Sequence, residues 1–178
     1  MRWSRLVVLT AAGLVLAGCG GSQYRTRDFR VPSSSMEPTL HCGGDLPGCL
    51  GTVADHVTIA VGKPVKRGDI IVFKTPPQAA MACGEGGTFV KRVVGLPGET
   101  VSEDGQGFIS VNGKRLAEPY VSARARALDS RNFNGQWKVP AGDYFVIGDN
   151  LSASCDSRAW GGVPRGNIIG PVVKIIRS

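Results

Sequence analysis

Val31-Pro32-Ser33-Ser34-Ser35-Met36-Glu37-Pro38-Thr39-Leu40 is the stretch around which the rest of the chain is read. Pro32 and Pro38 fix their own φ and push the residues before them out of the helical region, so the run is extended or looped. A rigid segment of that kind holds a serine hydroxyl and the neighbouring backbone N–H groups in one orientation. A nucleophile beside an oxyanion hole needs just such a support. The same residues also suit a Pro/Ser-rich linker, because the argument uses turn chemistry common to many loops.

The setting is an ordinary globular chain. Its 178 residues, 42% hydrophobic and 20% charged, make one domain or a domain plus a small lobe. That length supports an adequate core without staples. With Gly 25 and Pro 11, turns and short strands are expected rather than long helices. The net charge of +7 favours an anionic lipid surface. No aromatic-basic motif accompanies it, so no nucleic-acid partner is expected, and a solvated basic surface explains the charge equally well.

Upstream of the serines, Arg2 and Arg5 precede the apolar run Leu6 to Ala17 and then small residues, the pattern of a membrane-targeting segment. The rest of the chain is therefore expected outside the cytoplasm, where disulfides form. The apolar run would reach about 18 Å as a helix, against roughly 30 Å of hydrocarbon. It suits a cleavable segment better than a span, and Leu16-Ala17-Gly18-Cys19 at its end resembles a lipoprotein box with Cys19 as the lipidated residue. The alternative is a short, uncleaved transmembrane anchor helped by local bilayer thinning. Residues 1–19 are thus the signal or anchor, and 20–30, polar with three arginines, a tether.

Downstream, His41 to Cys49 is too rich in glycine and proline for regular structure. Cys42 and Cys49 in this exported loop read as a disulfide, worth about 2–3 kcal/mol on the chain-entropy model, with metal binding the lesser alternative. Asp55 to Val61 alternates as a half-buried strand, and Ile70 to Phe73 is a continuous apolar strand covered on both faces. Thr75 to Gly87 reads as loop. In Thr88 to Gly95, strand alternation puts Phe89, Lys91 and Val93 on one face, so Lys91 sits between apolar neighbours. An exposed lysine is neutral in only about one molecule in a few hundred at pH 8. An apolar slot disfavours the ammonium and lowers that pKa. A lysine snorkelling at a sheet edge is the plainer alternative. Phe108 to Val111 turns at Asn112-Gly113 into a hairpin, and Ser122 to Arg131 reads as an exposed basic loop. Tyr144 to Gly148 is a strand, and Ile168 to Ile176 one or two more, interrupted at Gly170-Pro171. His41 and His56 lie in no triad-like signature, and no metal-ligand cluster is visible.

Three ordered motifs carry a resemblance. Pro32 to Leu40 resembles the serine box of bacterial type I signal peptidases, P-S-x-S-M-x-P-T-L. Phe89 to Glu99 resembles their lysine box. Gly148-Asp149-Asn150 through Ser154-Cys155-Asp156-Ser157-Arg158 resembles the last box, with Leu151 and Ala153 standing where arginine and asparagine are usual. The resemblance implies an all-β, open β-barrel-like catalytic core with a small inserted β-lobe. The core would comprise 31–97 and 138–178, and the lobe 98–137.

It also implies a Ser–Lys dyad. Ser35 would be the nucleophile and Lys91 the general base, acting through an acyl-enzyme. The Ser35 N–H and the Ser33 hydroxyl would form the oxyanion hole. Ser154 would hold the lysine amine in line, with Asp156 and Arg158 a supporting ion pair. Because these boxes must then meet, Cys83 and Cys155 are a second candidate pair. No cofactor and no metal is called for. The expected activity is removal of signal peptides from exported preproteins after small residues in an Ala-X-Ala pattern. The expected setting is the cytoplasmic membrane, with the catalytic part, a monomer, on its extracytoplasmic face. Two other readings share the features: a self-cleaving cytoplasmic repressor-type protease, which the targeting segment opposes, and a lipid-anchored, non-catalytic β-module of the same fold.

Overall fold

Runs of β-branched residues decide the main sheet. β3 (Ile70–Lys74) is buried from Ile70 through Phe73, and β4 (Thr88–Gly95) pairs with it antiparallel, Ile71 opposite Lys91 and Phe73 opposite Phe89. The computed structural model describes residues 24–177 apart from 45, 46, 130 and 132. The anchor, the lipobox with Cys19 and the start of the tether lie outside the described residues. Among those described, no helix is long and apolar enough to cross a membrane.

Around β3 and β4 lie β1 (Thr26–Arg30), β2 (His56–Ala60), β9 (Asp143–Ile147), β10 (Val163–Pro164) and β11 (Ile168–Ile176). They form a seven-stranded sheet in the order β1-β2-β11-β3-β4-β9-β10. A second sheet, β7-β6-β5-β8, is built from β5 (Thr100–Glu103), β6 (Ile109–Val111), β7 (Lys114–Arg115) and β8 (Gln136–Lys138). Every strand pairing is antiparallel. The fold is all-β in class, with a few short helices added.

Three apolar clusters hold these sheets. Met36 and Leu40 of the serine segment pack with Val57, Ile59, Val72 and Val90. Ile71, Phe73, Val93 and Val146 form a second cluster. Val94, Phe145 and Ile147 meet Val101, Ile109 and Val111 in a third, which joins the inserted sheet to the main one. Burial of a side chain of this size contributes about 1.5–3 kcal/mol, so the serine segment is fastened by its own methionine and leucine.

Four segments differ from the sequence reading. The end of the expected tether is β1, whose five residues pair with β2 from Thr26–Ala60 to Arg30–His56. The expected loop 75–87 contains α1 (Pro77–Cys83), entered at a proline and closed by Gly84 at φ 72°. That start and stop were legible, since proline suits the first helical turn and glycine the left-handed cap. The expected exposed loop 122–131 contains α2 (Ala123–Ala127), with the Ser122 hydroxyl accepting from the Ala125 N–H and Ala125 buried. The Gly170-Pro171 interruption does not end a strand: β11 runs through it and changes partner from β3 to β2. Pro171 has no N–H to give the ladder, and Gly170 has no Cβ to collide with the Ala60 carbonyl. The hairpin turn is at Asn112-Gly113, both at positive φ.

Arg158, in α3 (Ser157–Trp160), ties the two sheets electrostatically. Its guanidinium bonds Asp156 beside it, Glu103 of β5 at 3.0 Å and Asp129 beyond α2 at 2.8 Å. Its side chain is completely buried. Removing one partner of a buried ionic group costs about 3–5 kcal/mol because the others are left uncompensated. Arg158→Leu should therefore lower stability by about that amount, read as a drop in the denaturant midpoint. A change below about 1 kcal/mol would mean that the carboxylates are not held by this residue.

Candidate active site

The serine segment is extended at Ser33 and then makes a single 3-10 turn, Ser34–Met36, between the two prolines. The turn separates the three serines. The Ser34 hydroxyl points to the Pro47 carbonyl at 3.2 Å, while Ser35, only 5% exposed, meets Lys91. Lys91 Nζ and Ser35 Oγ are 2.6 Å apart, and Ser33 Oγ is 3.3 Å from Ser35 Oγ. Lys91 comes from the middle of β4, is 4% exposed and has its amine 5.3 Å from the centroid of the Phe89 ring. The cleft beside these groups holds about 320 Å³ and is also lined by Pro32, Glu85 and Ala153.

Burial is the main influence on Lys91. It pushes the ammonium down from the ordinary 10.5 to about 8, against the pull of Asp156, Asp149 and Glu85. Two of those three carboxylates are already paired with arginines. Asp149 accepts from Arg92 at 2.8 and 2.6 Å, and Asp156 accepts from Arg158 at 2.8 and 2.9 Å. Without these pairings the carboxylates would favour the charged amine more strongly.

The Gly148-Asp149-Asn150 turn after β9 fastens the serine from the other side. The Asn150 N–H donates to the Ser35 carbonyl at 3.1 Å, and its side-chain amide donates to the Ser34 carbonyl at 3.0 Å. A Cβ at Gly148 would collide with the Ser35 carbonyl oxygen and the Ser154 hydroxyl, so only glycine fits there. Ser154 is fully buried, and its hydroxyl has no hydrogen-bond partner in this structure. The bond to the lysine amine expected from the resemblance is not formed here. The carbonyl of Ser154 instead accepts from Arg131 at 2.5 Å, and Arg131 also donates to the Leu151 carbonyl. Leu151 itself is buried in the third cluster.

The sequence reading assigned no role to Glu37, Arg92, Asp149, Asn150 or Arg131, whereas both candidate cysteine pairs are disulfides. Glu37 is buried, and its carboxylate accepts from the Cys42 and Leu50 N–H groups at 3.1 Å each and lies 2.6 Å from His41 Nδ1. It thereby joins the Cys42–Cys49 disulfide loop to the serine turn. A second disulfide joins Cys83 to Cys155. Arg92, Asp149, Asn150 and Arg131 complete the supports. Asp149 and Asn150 stand in a motif that marks them, whereas the sequence around Arg92 and Arg131 carries no signal of their partners. Among the described residues, no group of three or more His, Cys, Asp or Glu side chains gathers as a metal would require.

A family model described as signal peptidase, peptidase S26, matches residues 2–176. The chain belongs to this family. Among curated relatives, it is 34% identical to signal peptidase I of Pseudomonas fluorescens, over 87% of this chain and 66% of that protein. It is 40% identical to signal peptidase I of Leptolyngbya laminosa, over 80% of this chain and 64% of that protein. The chain thus spans just under two-thirds of each relative's length. A crystal structure of a signal peptidase I from Enterococcus faecalis is 33% identical, covering 63% of this chain and 98% of that one, with a TM-score of 0.49.

The site makes one direct prediction about its lysine. In a chain carrying ¹³C-labelled lysine, the Lys91 side-chain resonance should titrate near pH 8, apart from lysines that titrate above 10. A Lys91 resonance that moves with the others would show a solvated amine.

Proposed function

We propose that this member of the S26 family is a membrane-associated serine endopeptidase that removes signal peptides from exported preproteins. The observation that carries the reading is the 2.6 Å approach of the Lys91 amine to the Ser35 hydroxyl inside a buried cleft. A serine hydroxyl is a poor nucleophile without a base in reach, and a lysine serves as base only when neutral. An amine lowered to about 8 is neutral in about half of the molecules at pH 8.

In the proposed sequence, Ser35 Oγ attacks the scissile carbonyl carbon as its proton passes to Lys91 Nζ. Negative charge develops on the carbonyl oxygen, which the Ser35 N–H and the Ser33 hydroxyl stabilise. Collapse breaks the C–N bond, and the Lys91 ammonium gives its proton to the departing amine. Water then attacks the Ser35 ester, losing a proton to Lys91; collapse breaks the bond from the acyl carbon to Ser35 Oγ, the Lys91 ammonium returns its proton to that oxygen, and the signal peptide leaves as its carboxylic acid. Ser154, Asp156 and Arg158 support the loop facing the dyad. The preprotein would lie extended beside Thr88–Lys91 of β4, where pairing with β9 has not yet begun. A pattern of small residues before the cut suits a cleft of this size.

Labelling is the simplest test. A mechanism-based acylating inhibitor should modify Ser35 and nothing else, and its absence from Ser35 in the active protein would defeat the reading. Lys91→Arg should abolish cleavage while leaving the fold intact, because a guanidinium stays protonated. Substantial turnover by Lys91→Arg would rule out the dyad. Ser33→Ala should be slower by about 10²–10³, the usual loss for one oxyanion donor, and wild-type rates would remove Ser33 from that role.

The anchoring belongs to the same proposal. Cleavage before Cys19 and its acylation would hold the catalytic part at the extracytoplasmic face, near emerging signal peptides. Several acyl chains, at about 0.8 kcal/mol per buried CH₂, anchor stably where one does not. Cys19→Ala should leave an unprocessed N-terminus or release the protein from the membrane fraction. A chain that starts at Met1 in wild type, and fractionates identically after the substitution, would contradict lipidation.

A further inference from the structure

α1 buries little of its own surface and packs against α3, just beyond the Ser154 loop. Ala79 is its only buried residue, and Met81 is 79% exposed. From its end, Gly84-Glu85-Gly86-Gly87 leads directly into β4, with Gly84 and Gly87 at positive φ and Gly87 tied to Thr75 at the base of the segment. Cys83 at the end of α1 lines the same cleft as Ser35 and Lys91. Its disulfide partner Cys155, 72 residues later, lines that cleft too and sits between Ser154 and Asp156. The bridge therefore joins two walls that no strand pairing connects.

We propose that the Cys83–Cys155 disulfide is a positioning element of the active site. It clamps α1 to the Ser154 loop as one wall of the cleft and keeps water from the lysine amine. The inference rests on the Ser35–Lys91 reading and deepens it. Burial lowers Lys91 to about 8, while the nearby carboxylates all pull the other way. The charged groups that act on it are Asp156 of the loop before α3, paired with Arg158, and Asp149 after β9, paired with Arg92. The third is Glu85 of the α1–β4 link. Opening the wall hydrates the amine, leaves these carboxylates attractive and raises the pKa toward its ordinary value. A disulfide that merely stabilised the fold would not do this.

The test compares the full chain with C83S/C155S and with C42S/C49S, measuring kcat/KM on a signal-peptide substrate from about pH 6 to 10. Wild type should rise through about pH 8. In C83S/C155S the rise should move up by about one unit, giving about five-fold slower cleavage at pH 8 and near-equal cleavage at pH 10. C42S/C49S should keep the wild-type midpoint. An unmoved midpoint in C83S/C155S, an equal loss at every pH, or the same shift in C42S/C49S would overturn the proposal. Should C83S/C155S fail to fold, C42S/C49S in its oxidised form, and after native reduction by a water-soluble phosphine, gives the same comparison. The Lys91 resonance is titrated in parallel in each protein. A shifted lysine in a protein that never acylates Ser35 would refute the peptidase reading and leave the clamp standing. An unshifted lysine in an active protein would do the reverse.

Discussion

The contact between the Lys91 amine and the Ser35 hydroxyl sets the terms for the rest of the molecule. A lysine moved from 10.5 to about 8 carries about 3 kcal/mol of unfavourable interaction with its own charged form. That is a sizeable part of the 5–15 kcal/mol by which a domain is usually stable. The surrounding structure must offset the cost and must also keep the two groups in register. It does so by placing Lys91 in the interior of a paired strand, opposite Ile71. Met36 and Leu40 bury the serine turn against Val72 and Val90.

Electrostatics around the dyad work by subtraction. The same loops that approach the lysine carry Asp149 and Asp156, which by themselves would hold it protonated. Each is engaged by an arginine, Arg92 from the lysine's own strand and Arg158 from α3. Arg158 also reaches Glu103 and Asp129, so the inserted sheet and α2 share in fixing the loop that bears Ser154. The inserted lobe is thus connected to the site by charge as well as by the Val94–Val101 cluster. Arg131 adds a further tie, to the Ser154 carbonyl.

Covalent and conformational constraints divide the remaining labour. Glu37 couples one disulfide loop to the serine turn, and Cys83–Cys155 lines the cleft. Gly148 lets two backbones approach where any side chain would separate them. Around a small buried reaction centre, such fixed contacts limit the reorganisation needed when charge develops.

The sequence by itself determined β2, β3, β4, β9 and β11, the hairpin of β6 and β7, and the identity of the motif residues. Alternation around Lys91, the unbroken apolar run at Ile70–Phe73 and the Asn112-Gly113 turn are local signals, because side-chain period and left-handed backbone are properties of a few neighbouring residues. The helix at 77–83 carries signals of the same kind, proline at its start and glycine at its end, which the reading of 75–87 as loop passed over. The motifs named Ser35 and Lys91 by resemblance, but only the tertiary structure brings the two side chains together across 56 residues and leaves the buried Ser154 hydroxyl without a hydrogen bond. It also decided that Thr26–Arg30 is an edge strand, since four exposed polar residues around one half-buried phenylalanine carry too weak a pattern and acquire that state from the ladder β2 offers. The arginine pairings belong to the same class. A guanidinium chooses among carboxylates by where the folded backbone places them, and nothing near Arg158 in the chain points to Glu103.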